Sequence, residues 1–409
     1  MKKTPWKTDQ WYTSPWNFAE EVTESFNFPD NIKIHDITLR DGEQQAGIIM
    51  KKDEKIKIAE ALAQSGVQRI EAGMPAVSEQ DKEAIKEIVK RDLEDTEIFA
   101  FSRCMVEDVK QVVDTGVDGI VVEIPASEHI IEHAYQWPLE KAIELAIEAT
   151  SYAHKNDLYT VFFPIDGTRA EIDWFLDLIE KVATEGHMDA LALVDTFGGL
   201  SPSAIPYFVK KVRERIDQPL EAHFHDDFGI GVANTLLALA SGVEVAHTTI
   251  TGIGERAGNV AYEDLVLTLL TMYNQDLGIK TENMYETSKL LREITGAQIR
   301  DNRPIVGEKL FNIESGIIAS WSKNCGQEHL LELAPFTPDL VGQKPQEVVL
   351  GKNSGLDSIK IKADELGYTI DDKDAEAILK KIKDESFKQK NLISNEKFLK
   401  ILQIHLGGK

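Results

Sequence analysis

The sequence predicts an α/β protein, a (β/α)8 TIM barrel followed by a C-terminal region of helices and mixed structure. Three observations predict it: eight short apolar runs, helical patterns between successive runs, and glycines that end several helices directly before the next strand. A doubly wound open sheet is the alternative architecture. It is less consistent with the sequence because no glycine-rich fingerprint follows the first strand.

The eight apolar runs have the length of buried parallel strands, and amphipathic helical patterns such as 53–64, 79–91, 139–154, 171–184 and 203–215 separate them. Gly66, Gly116 and Gly242 each stand where a helix ends before a strand. Eight strands alternating with helices over roughly 240 residues match the size of a TIM barrel. The predicted strands are 32–37, 67–71, 97–101, 119–124, 159–164, 190–194, 220–225 and 243–250.

This pattern divides the chain into an N-terminal extension (1–30), a catalytic barrel (31–275) and C-terminal subdomains (276–409). Within the last part we expect a helix at 281–295 and helices at 375–387 and 395–402. The segment 335–355, with its prolines and glycines, is expected to be a connecting loop.

Charge and composition restrict the class of partner. The formal net charge of −24 disfavours binding to nucleic acid or to an anionic membrane surface. Only Cys104 and Cys325 are present, which suits a reducing cytoplasm. The N-terminal segment does not resemble a signal peptide, and no run approaches the roughly twenty apolar residues of a membrane span. We therefore expect a cytoplasmic protein that acts on small molecules.

Polar residues follow several predicted strands at the rim where TIM barrels carry their active sites. His223 and His225 alternate along strand seven, so their imidazoles face the same side. A carboxylate from Asp41, after strand one, would complete a site for a divalent metal. The alternative is that both histidines are solvated strand residues. Asp195, after strand six, is by itself better explained as a loop cap.

Three motifs carry a resemblance to a known family. Leu39-Arg40-Asp41-Gly42-Glu43-Gln44, the His-x-His-Asp-Asp-Phe-Gly of 223–229, and the Gly-Ile-Gly-Glu-Arg-Ala-Gly-Asn of 252–259 occur in the family's order. The chain resembles the isopropylmalate, homocitrate and citramalate synthases, in the metal-dependent barrel superfamily that includes hydroxymethylglutaryl-CoA lyase. Segments 307–316 and 350–355 resemble the C-terminal subdomains of the same synthases, so the resemblance covers roughly 30–405.

The resemblance implies condensation of an acyl-CoA, expected to be acetyl-CoA, with a 2-oxo acid. It implies Asp41, His223 and His225 as ligands of Mg²⁺, Mn²⁺ or Zn²⁺, with Asn259 near the metal. Arg40 would stabilise the developing oxyanion, although an ion pair with Asp41 or Glu71 is its structural alternative. The other implied contacts are Thr196 with the substrate carboxylate, and Gly252, Gly254, Glu255, Arg256 and Gly258 with the thioester cofactor. His129, which follows strand four, is a further candidate for substrate contact and proton transfer, with a solvated loop histidine as the alternative.

The chain also departs from the family pattern. Ile165 stands where these synthases have a catalytic glutamate, and Ile317 where they have a histidine, or next to it. Asp166 and Glu71 are then the carboxylates expected to transfer a proton, with Asp166 preferred. The alternative for Asp166 is a structural one, in which it caps the loop after strand five and pairs with Arg169.

These departures leave a second function open, a metal-dependent C–C lyase or aldolase of the same superfamily. A non-enzymatic relative that keeps the metal ligands is a third reading. The resemblance also implies a homodimer in which the C-terminal region is exchanged and covers the partner's barrel.

Overall fold

The computed structural model describes residues 4–407. The chain divides into two compact units. One is Pro15–Ile299, and the other combines the segment before Pro15 with the chain from Arg300 onward.

The first unit is a closed eight-stranded parallel barrel in which each strand pairs with its sequence neighbours and β8 pairs with β1. All eight predicted strands are present, and the predicted barrel is confirmed. The strands are β1 Lys33–Asp36, β2 Arg69–Glu71, β3 Glu97–Arg103, β4 Gly119–Pro125, β5 Tyr159–Ile165, β6 Ala190–Asp195, β7 Leu220–Phe224 and β8 Val245–Thr248.

Helices connect successive strands because amphipathic stretches bury one face on the barrel. Gly66, Gly116 and Gly242 have φ of +86°, +79° and +96°, which confirms them as the residues that end helices before strands. The helices of this unit are α1 Glu20–Thr23, α2 Lys52–Gln64, α3 Glu79–Lys90, α4 Val106–Val113, α5 Glu128–Ile130, α6 Leu139–Lys155, α7 Ile172–Glu185, α8 Ile205–Arg213, α9 Gly231–Ala240, α10 Tyr262–Tyr273 and α11 Met284–Thr295.

The interior of the barrel has an apolar half and an ionic half. Strands β3 to β6 fill one side with a cluster of buried side chains: Phe99, Phe101, Val121, Val161, Phe163, Ala190, Ala192 and Val194. Strands β7, β8, β1 and β2 fill the other side with buried polar and charged residues: Glu221, His223, His247, His35, Arg69 and Glu71. The rim at the C-terminal ends of the strands therefore lies above a core that is charged on one side.

The second unit has its own apolar cluster, which includes Ile359, Ile378, Phe398 and Leu402. Its strands β9 Asn312–Ile313 and β10 Glu347–Val348 pair in parallel. Its helices are α12 Gly316–Cys325, α13 Leu356–Glu365, α14 Asp372–Gln389 and α15 Asn395–Gly407. The last two confirm the predicted pair of helices.

The segment before Pro15 joins this second unit by backbone pairing. Trp11 forms an antiparallel bridge with Phe336, and Tyr12 N donates to Pro335 O at 2.8 Å. The two family-like motifs also meet here, because Gly316 N donates to Asn353 O at 3.0 Å. A Cβ on Gly316 would lie 2.6 Å from Gly355 N, so this contact needs glycine.

The predicted connecting loop at 335–355 contains two short elements, the 3-10 turn Pro338–Val341 and strand β10. Every helix within residues 4–407 is too short or too polar to cross a bilayer.

Candidate active site

Asp41, His223 and His225 converge at the mouth of the barrel, and all three are buried. The Nε2 atoms of the two histidines lie 3.4 Å apart. Asp41 Oδ2 lies 3.5 Å from His223 Nε2 and 3.9 Å from His225 Nε2. The structure therefore brings together the three residues that the sequence predicts as metal ligands.

Strand geometry explains this convergence. His223 belongs to β7 and His225 follows its end, so the two side chains share the inner face by alternation. Asp41 follows β1, the second strand along the barrel wall from β7. Asn259 is brought in by an antiparallel bridge to His225, and its Nδ2 donates to Asp41 Oδ1 at 3.1 Å.

The protonation states suit a metal site. Burial disfavours a charge on Asp41, but Arg40, His225 and the Asn259 hydrogen bond outweigh it and hold the pKa of Asp41 below its ordinary value. Burial, together with neighbouring histidines, lowers the pKa of His223 well below its usual value. Burial also lowers the pKa of His225, despite the nearby Asp41 carboxylate. The site thus offers one carboxylate and two neutral imidazoles, the forms that bind metal.

The spacing of the atoms also fits a divalent cation. Two ligand atoms at about 2.1 Å from one ion are about 3.0 Å apart at a right angle and about 3.4 Å apart at the tetrahedral angle. The observed separations of 3.4, 3.5 and 3.9 Å need only small movements to reach those values. Asn259 Oδ1 is buried with no hydrogen-bond partner among residues 4–407, which leaves it available as a further oxygen ligand.

A second cluster of potential ligands, His35, Glu221 and His247, lies deeper in the barrel. Here His247 Nε2 is 2.7 Å from Glu221 Oε2, which is a hydrogen-bond distance and shorter than the separation of two atoms on one metal ion. Arg69 Nη1 donates to Glu221 Oε1 at 2.8 Å, so this carboxylate already has a cationic partner. We assign this cluster to hydrogen bonding.

The second cluster orients a ligand of the first. His223 Nδ1 lies 3.2 Å from His247 Nδ1, so one of the two must donate and the other accept. An ionised Glu221 accepts from His247 Nε2, which leaves His247 Nδ1 to accept from His223 when His223 Nε2 binds a metal. His223 then carries its proton on Nδ1, and its Nε2 lone pair faces Asp41 and His225.

Arg40 lies beside the ligands. Its Nε donates to Glu71 Oε1, its Nη1 lies 3.1 Å from Asp41 Oδ2, and its guanidinium is 3.9 Å from the centre of the Phe101 ring. Both ion pairs given as structural alternatives for Arg40 are therefore present. Its Nη2 is nevertheless buried without a hydrogen-bond partner among residues 4–407, and so is Glu71 Oε2.

Hydrogen bonds from two residues fix the position of the Asp166 carboxylate. Asp166 follows β5 with φ +62°, and its carboxylate accepts from Arg169 Nε at 2.6 Å, Arg169 Nη2 at 2.9 Å and Ser127 Oγ at 2.7 Å. His129 Nε2 lies 3.2 Å from Asp166 Oδ2, and Thr196 Oγ1 accepts from the backbone N–H of Asp166 at 2.8 Å. The structure thus contains the Asp166–Arg169 pair that was the structural alternative, and it brings Thr196 and His129 to the same carboxylate.

Asp195 caps the loop after β6, as expected, by accepting from the backbone N–H groups of Gly199 at 3.1 Å and Leu200 at 2.9 Å.

The glycine loop after β8 is folded against Asn259. A Cβ on Gly258 would lie 1.9 Å from Gly252 O, and one on Gly254 would lie 2.2 Å from Asn259 Nδ2. Arg256 pairs with Asp227 at 2.9 Å and also donates to Thr196 O. These residues shape the loop near the metal ligands, and contact with a thioester cofactor stays a prediction.

The departures from the family pattern have different surroundings. Ile165, at the end of β5, packs partly buried against the interior cluster that contains Phe163. Ile317, in the second unit, is 68% exposed. Several polar residues inside the barrel strands were not singled out from the sequence, because each lies within a run that reads as apolar: Glu123, Glu221, His247, His35 and Arg69. A single polar residue in such a run does not show which face of the strand it occupies, so nothing in the sequence indicates its position.

Comparison with known proteins agrees with this fold. A family model described as HMGL-like matches residues 31–291, and one described as homocitrate synthase post-HMGL domain-like matches 305–390. A homocitrate synthase, AksA, of Methanopyrus kandleri is 36% identical over 366 residues, which are 90% of each chain.

Other relatives carry related names. A 2-isopropylmalate synthase of Methanocaldococcus jannaschii is 38% identical and covers 86% of this chain and 66% of its own. A putative (R)-citramalate synthase of Archaeoglobus fulgidus is 38% identical and covers 86% and 71%.

Among solved structures, the HMG-CoA lyase of Bacillus subtilis superposes with a TM-score of 0.60 at 22% identity and covers 66% of this chain and 96% of its own, which shows a shared fold. The HMGL-like match spans the barrel that carries the Asp41, His223 and His225 site. The chain therefore belongs to the HMGL-like family and carries a homocitrate synthase post-HMGL domain-like segment after its barrel.

Proposed function

We propose that the protein condenses acetyl-CoA with a 2-oxo acid in a metal-dependent Claisen-type reaction that gives a 2-hydroxy-2-alkyl dicarboxylic acid. The observation that carries the proposal is the convergence of Asp41, His223 and His225 beside Arg40, whose Nη2 has no hydrogen-bond partner among residues 4–407. The names of the relatives, homocitrate, isopropylmalate and citramalate synthase, support the same reaction class.

Asp41, His223 and His225 would hold a divalent metal, with Asn259 Oδ1 as an additional oxygen. When bound, such a metal acts as a Lewis acid on the oxo group of the substrate. The three side chains are buried, and hydrogen bonds fix the orientation of Asp41 and His223 before substrate arrives. This preorganisation reduces the cost of forming the site.

Arg40 would stabilise the negative charge that grows on the attacked carbonyl oxygen. Its Nε and Nη1 are fixed by Glu71 and Asp41, and stacking on Phe101 fixes the plane of the guanidinium. The remaining Nη2 is therefore a rigid donor in a water-poor site, where a charge-assisted hydrogen bond is strong. The fixed positive charge also offsets the acidic field of the protein.

Thr196 and His129 would contact the 2-oxo acid. Thr196 Oγ1 already accepts from the Asp166 backbone, so its O–H group is available to donate to a substrate carboxylate. His129 is partly exposed and lies beside the Asp166 carboxylate, on the same side of the mouth. Asp166 and Glu71 stay predicted proton-transfer groups, although each accepts from a guanidinium in the structure.

The loop of Gly252, Gly254, Glu255, Arg256 and Gly258 would form the thioester side of the site. Its glycines allow the backbone to turn tightly next to Asn259. Arg256 is a partly exposed cation in this loop, although Asp227 partly neutralises it. A cation here suits a coenzyme that carries phosphate groups.

We also propose a homodimer in which the 276–409 region covers the partner's barrel. Ile317 and Trp321 are 68% and 52% exposed on α12 and stand four residues apart, so they share one helix face. An exposed apolar face of this kind suits contact with a second copy.

The function is tested by incubating the protein with Mg²⁺, Mn²⁺ or Zn²⁺, acetyl-CoA and a panel of 2-oxo acids, and measuring free thiol. We expect thiol release with at least one 2-oxo acid and none from His223→Ala. Absence of thiol release with every oxo acid and metal would contradict the condensation.

C–C bond cleavage is the second candidate, and Ile165 is the observation that favours it, since a side chain without a titratable group replaces the family's glutamate. The same preparation is therefore also given 3-hydroxyacyl-CoA substrates. Formation of acetyl-CoA from these, without condensation activity, would favour the lyase.

A further inference from the structure

We propose that Glu123 is the catalytic base of this protein, the group that takes a proton from the carbon next to the thioester. The inference rests on the condensation proposed above and names a residue for a step that Ile165 cannot perform. It is carried by the position of Glu123 in the barrel and by its carboxylate, which has no hydrogen-bond or ion-pair partner among the residues that the structure describes.

The strand register places Glu123 at the mouth. Glu123 lies on β4 opposite Arg103 of β3 and Phe163 of β5. Val121, two residues earlier, belongs to the interior cluster, so alternation turns Glu123 inward as well.

Arg40 lies beside Asp41 at the mouth of the barrel, and the aromatic rings that surround its guanidinium belong to the strands next to Glu123. The guanidinium of Arg40 lies 3.9 Å from the centre of the Phe101 ring and 6.0 Å from that of Phe163. Phe101 pairs with Val121 and Phe163 pairs with Glu123 across the β-sheet. Glu123 is therefore adjacent to the cation that would stabilise the oxyanion.

Glu123 also lies close to Ile165. Pro125 of β4 pairs with Ile165 of β5. Glu123 is the inward-facing residue two positions before Pro125. It therefore lies on the strand next to Ile165, one layer of side chains away. A glutamate side chain is long enough to bring its carboxylate to the same mouth from that position. The carboxylate absent at 165 is thus present on the neighbouring strand.

The carboxylate of Glu123 is available to accept a proton. Within residues 4–407 it has no hydrogen bond or ion pair, whereas Glu71 accepts from Arg40 and Asp166 from Arg169 and Ser127. Glu123 is also only partly buried, so its oxygens are within reach of a bound substrate. A base needs both a free lone pair and access, and Glu123 has both.

The surroundings of Glu123 bring its pKa close to neutral pH. Burial raises the pKa of Glu123 to about 7; Arg40 and Arg103 lower it, and the negative charges of Glu71 and Asp41 raise it further. A base is most effective when its pKa lies near the working pH. The carboxylate would be ionised and reactive just above neutrality.

The step balances as follows. Glu123 takes the proton from the methyl carbon of acetyl-CoA, and the electron pair of that C–H bond forms the new C–C bond to the carbonyl carbon. The carbonyl oxygen gains the negative charge beside Arg40 Nη2 and takes a proton from water to become the hydroxyl group, while Glu123 releases the proton it removed to solvent. Water cleaves the thioester and releases the coenzyme as free thiol, which is the species measured.

The test compares the parent protein with Glu123→Gln, which keeps the size of the side chain and removes the base. We expect turnover to fall at least about a hundredfold. Metal content and 2-oxo acid binding, measured by calorimetry, should remain unchanged. In the parent, kcat/KM should rise through about pH 7 because the base must lose its proton, and the residual activity of Glu123→Gln should lack that rise.

Two further variants separate a base from a structural residue. Glu132→Gln removes an exposed glutamate that follows the same strand and should keep parent activity. Adding Ile165→Glu to Glu123→Gln returns a carboxylate to the mouth from β5 and should recover at least about tenfold of the lost turnover.

Turnover of Glu123→Gln within about threefold of an active parent would overturn the assignment. A parent that releases no thiol with any 2-oxo acid would instead refute the condensation and this inference with it.

Discussion

Asp36 at the end of β1 makes the stability of the protein depend on pH. Its side chain is fully buried, Oδ1 accepts from Thr38 N at 2.9 Å, and Oδ2 has no hydrogen-bond partner among residues 4–407. Burial raises the pKa of Asp36 to about 7; the hydrogen bonds from Thr38 oppose this, and the charge of Glu71 adds to it. The folded protein therefore binds a proton that the unfolded chain releases near its ordinary pKa of about 3.9.

The sign follows from linkage. Since the folded pKa exceeds the unfolded one, the stability contributed by this proton is fully present below about pH 3.9 and is lost as pH rises through about 7. At about pH 5.5 the group is about 1.5 units below its folded pKa, and each unit is worth about 1.36 kcal/mol. Raising the pH from about 5.5 to about 8.5 should therefore remove about 2 kcal/mol of stability through Asp36.

Asp36→Asn should abolish this loss, because asparagine does not ionise and its Oδ1 still accepts from Thr38 N. The free energy of unfolding is measured by urea denaturation at about pH 5.5 and about pH 8.5. The free energy of unfolding of the variant minus that of the parent should be about 2 kcal/mol larger at the higher pH than at the lower one. Asp217→Asn, at an exposed site, is the control and should follow the parent. Parallel pH dependence in the parent and Asp36→Asn would refute the reasoning.

Four other predictions test the site and the assembly. His223→Ala should lose bound metal, measured by elemental analysis, together with activity, and unchanged metal content would count against the ligand set. His247→Phe should weaken metal binding by about tenfold or more in calorimetry, because His223 loses the partner that fixes its tautomer; equal affinity would contradict that role. Asp166→Asn should lower the free energy of unfolding by about 2 kcal/mol through its pair with Arg169, whereas a hundredfold loss of turnover at unchanged stability would make Asp166 the base. Light scattering after size exclusion should give twice the chain mass of 45.8 kDa, and an active monomer at micromolar concentration would exclude the exchanged dimer.

The barrel could be predicted from the sequence because parallel strands buried on both faces read as continuous apolar runs bounded by glycines. The ends of the strands were less certain. The run 243–250 contains β8 but continues into the 3-10 turn Ile250–Gly252, where the apolar residues no longer pair. Helices α12 and α13 were missed because each follows a glycine-bearing loop and has a weak apolar periodicity.

The convergence of His223 and His225 could be predicted because alternation along a strand places both side chains of a His-x-His on one face. Glu123 could not be assigned in the same way, since one acidic residue in the apolar run 119–124 does not show which face it occupies. Only the register with β3 and β5 places it beside Arg40. The pairing of Asp166 with Arg169 was foreseen as an alternative, but its strength depends on Ser127, which is distant in sequence.

The ionic half of the barrel connects its floor to its mouth. Arg69 donates a hydrogen bond to Glu221, and Glu221 accepts one from His247. His247 in turn accepts from His223 Nδ1 when the Nε2 atom of His223 binds a metal. Replacing this column by aliphatic side chains of similar volume could preserve or even raise stability, as buried ion pairs often cost more in desolvation than they return. Without His247, however, His223 would be free to carry its proton on Nε2, the nitrogen that faces Asp41 and His225. We therefore expect substitutions at Arg69 to change metal binding at the mouth more than they change the stability of the fold.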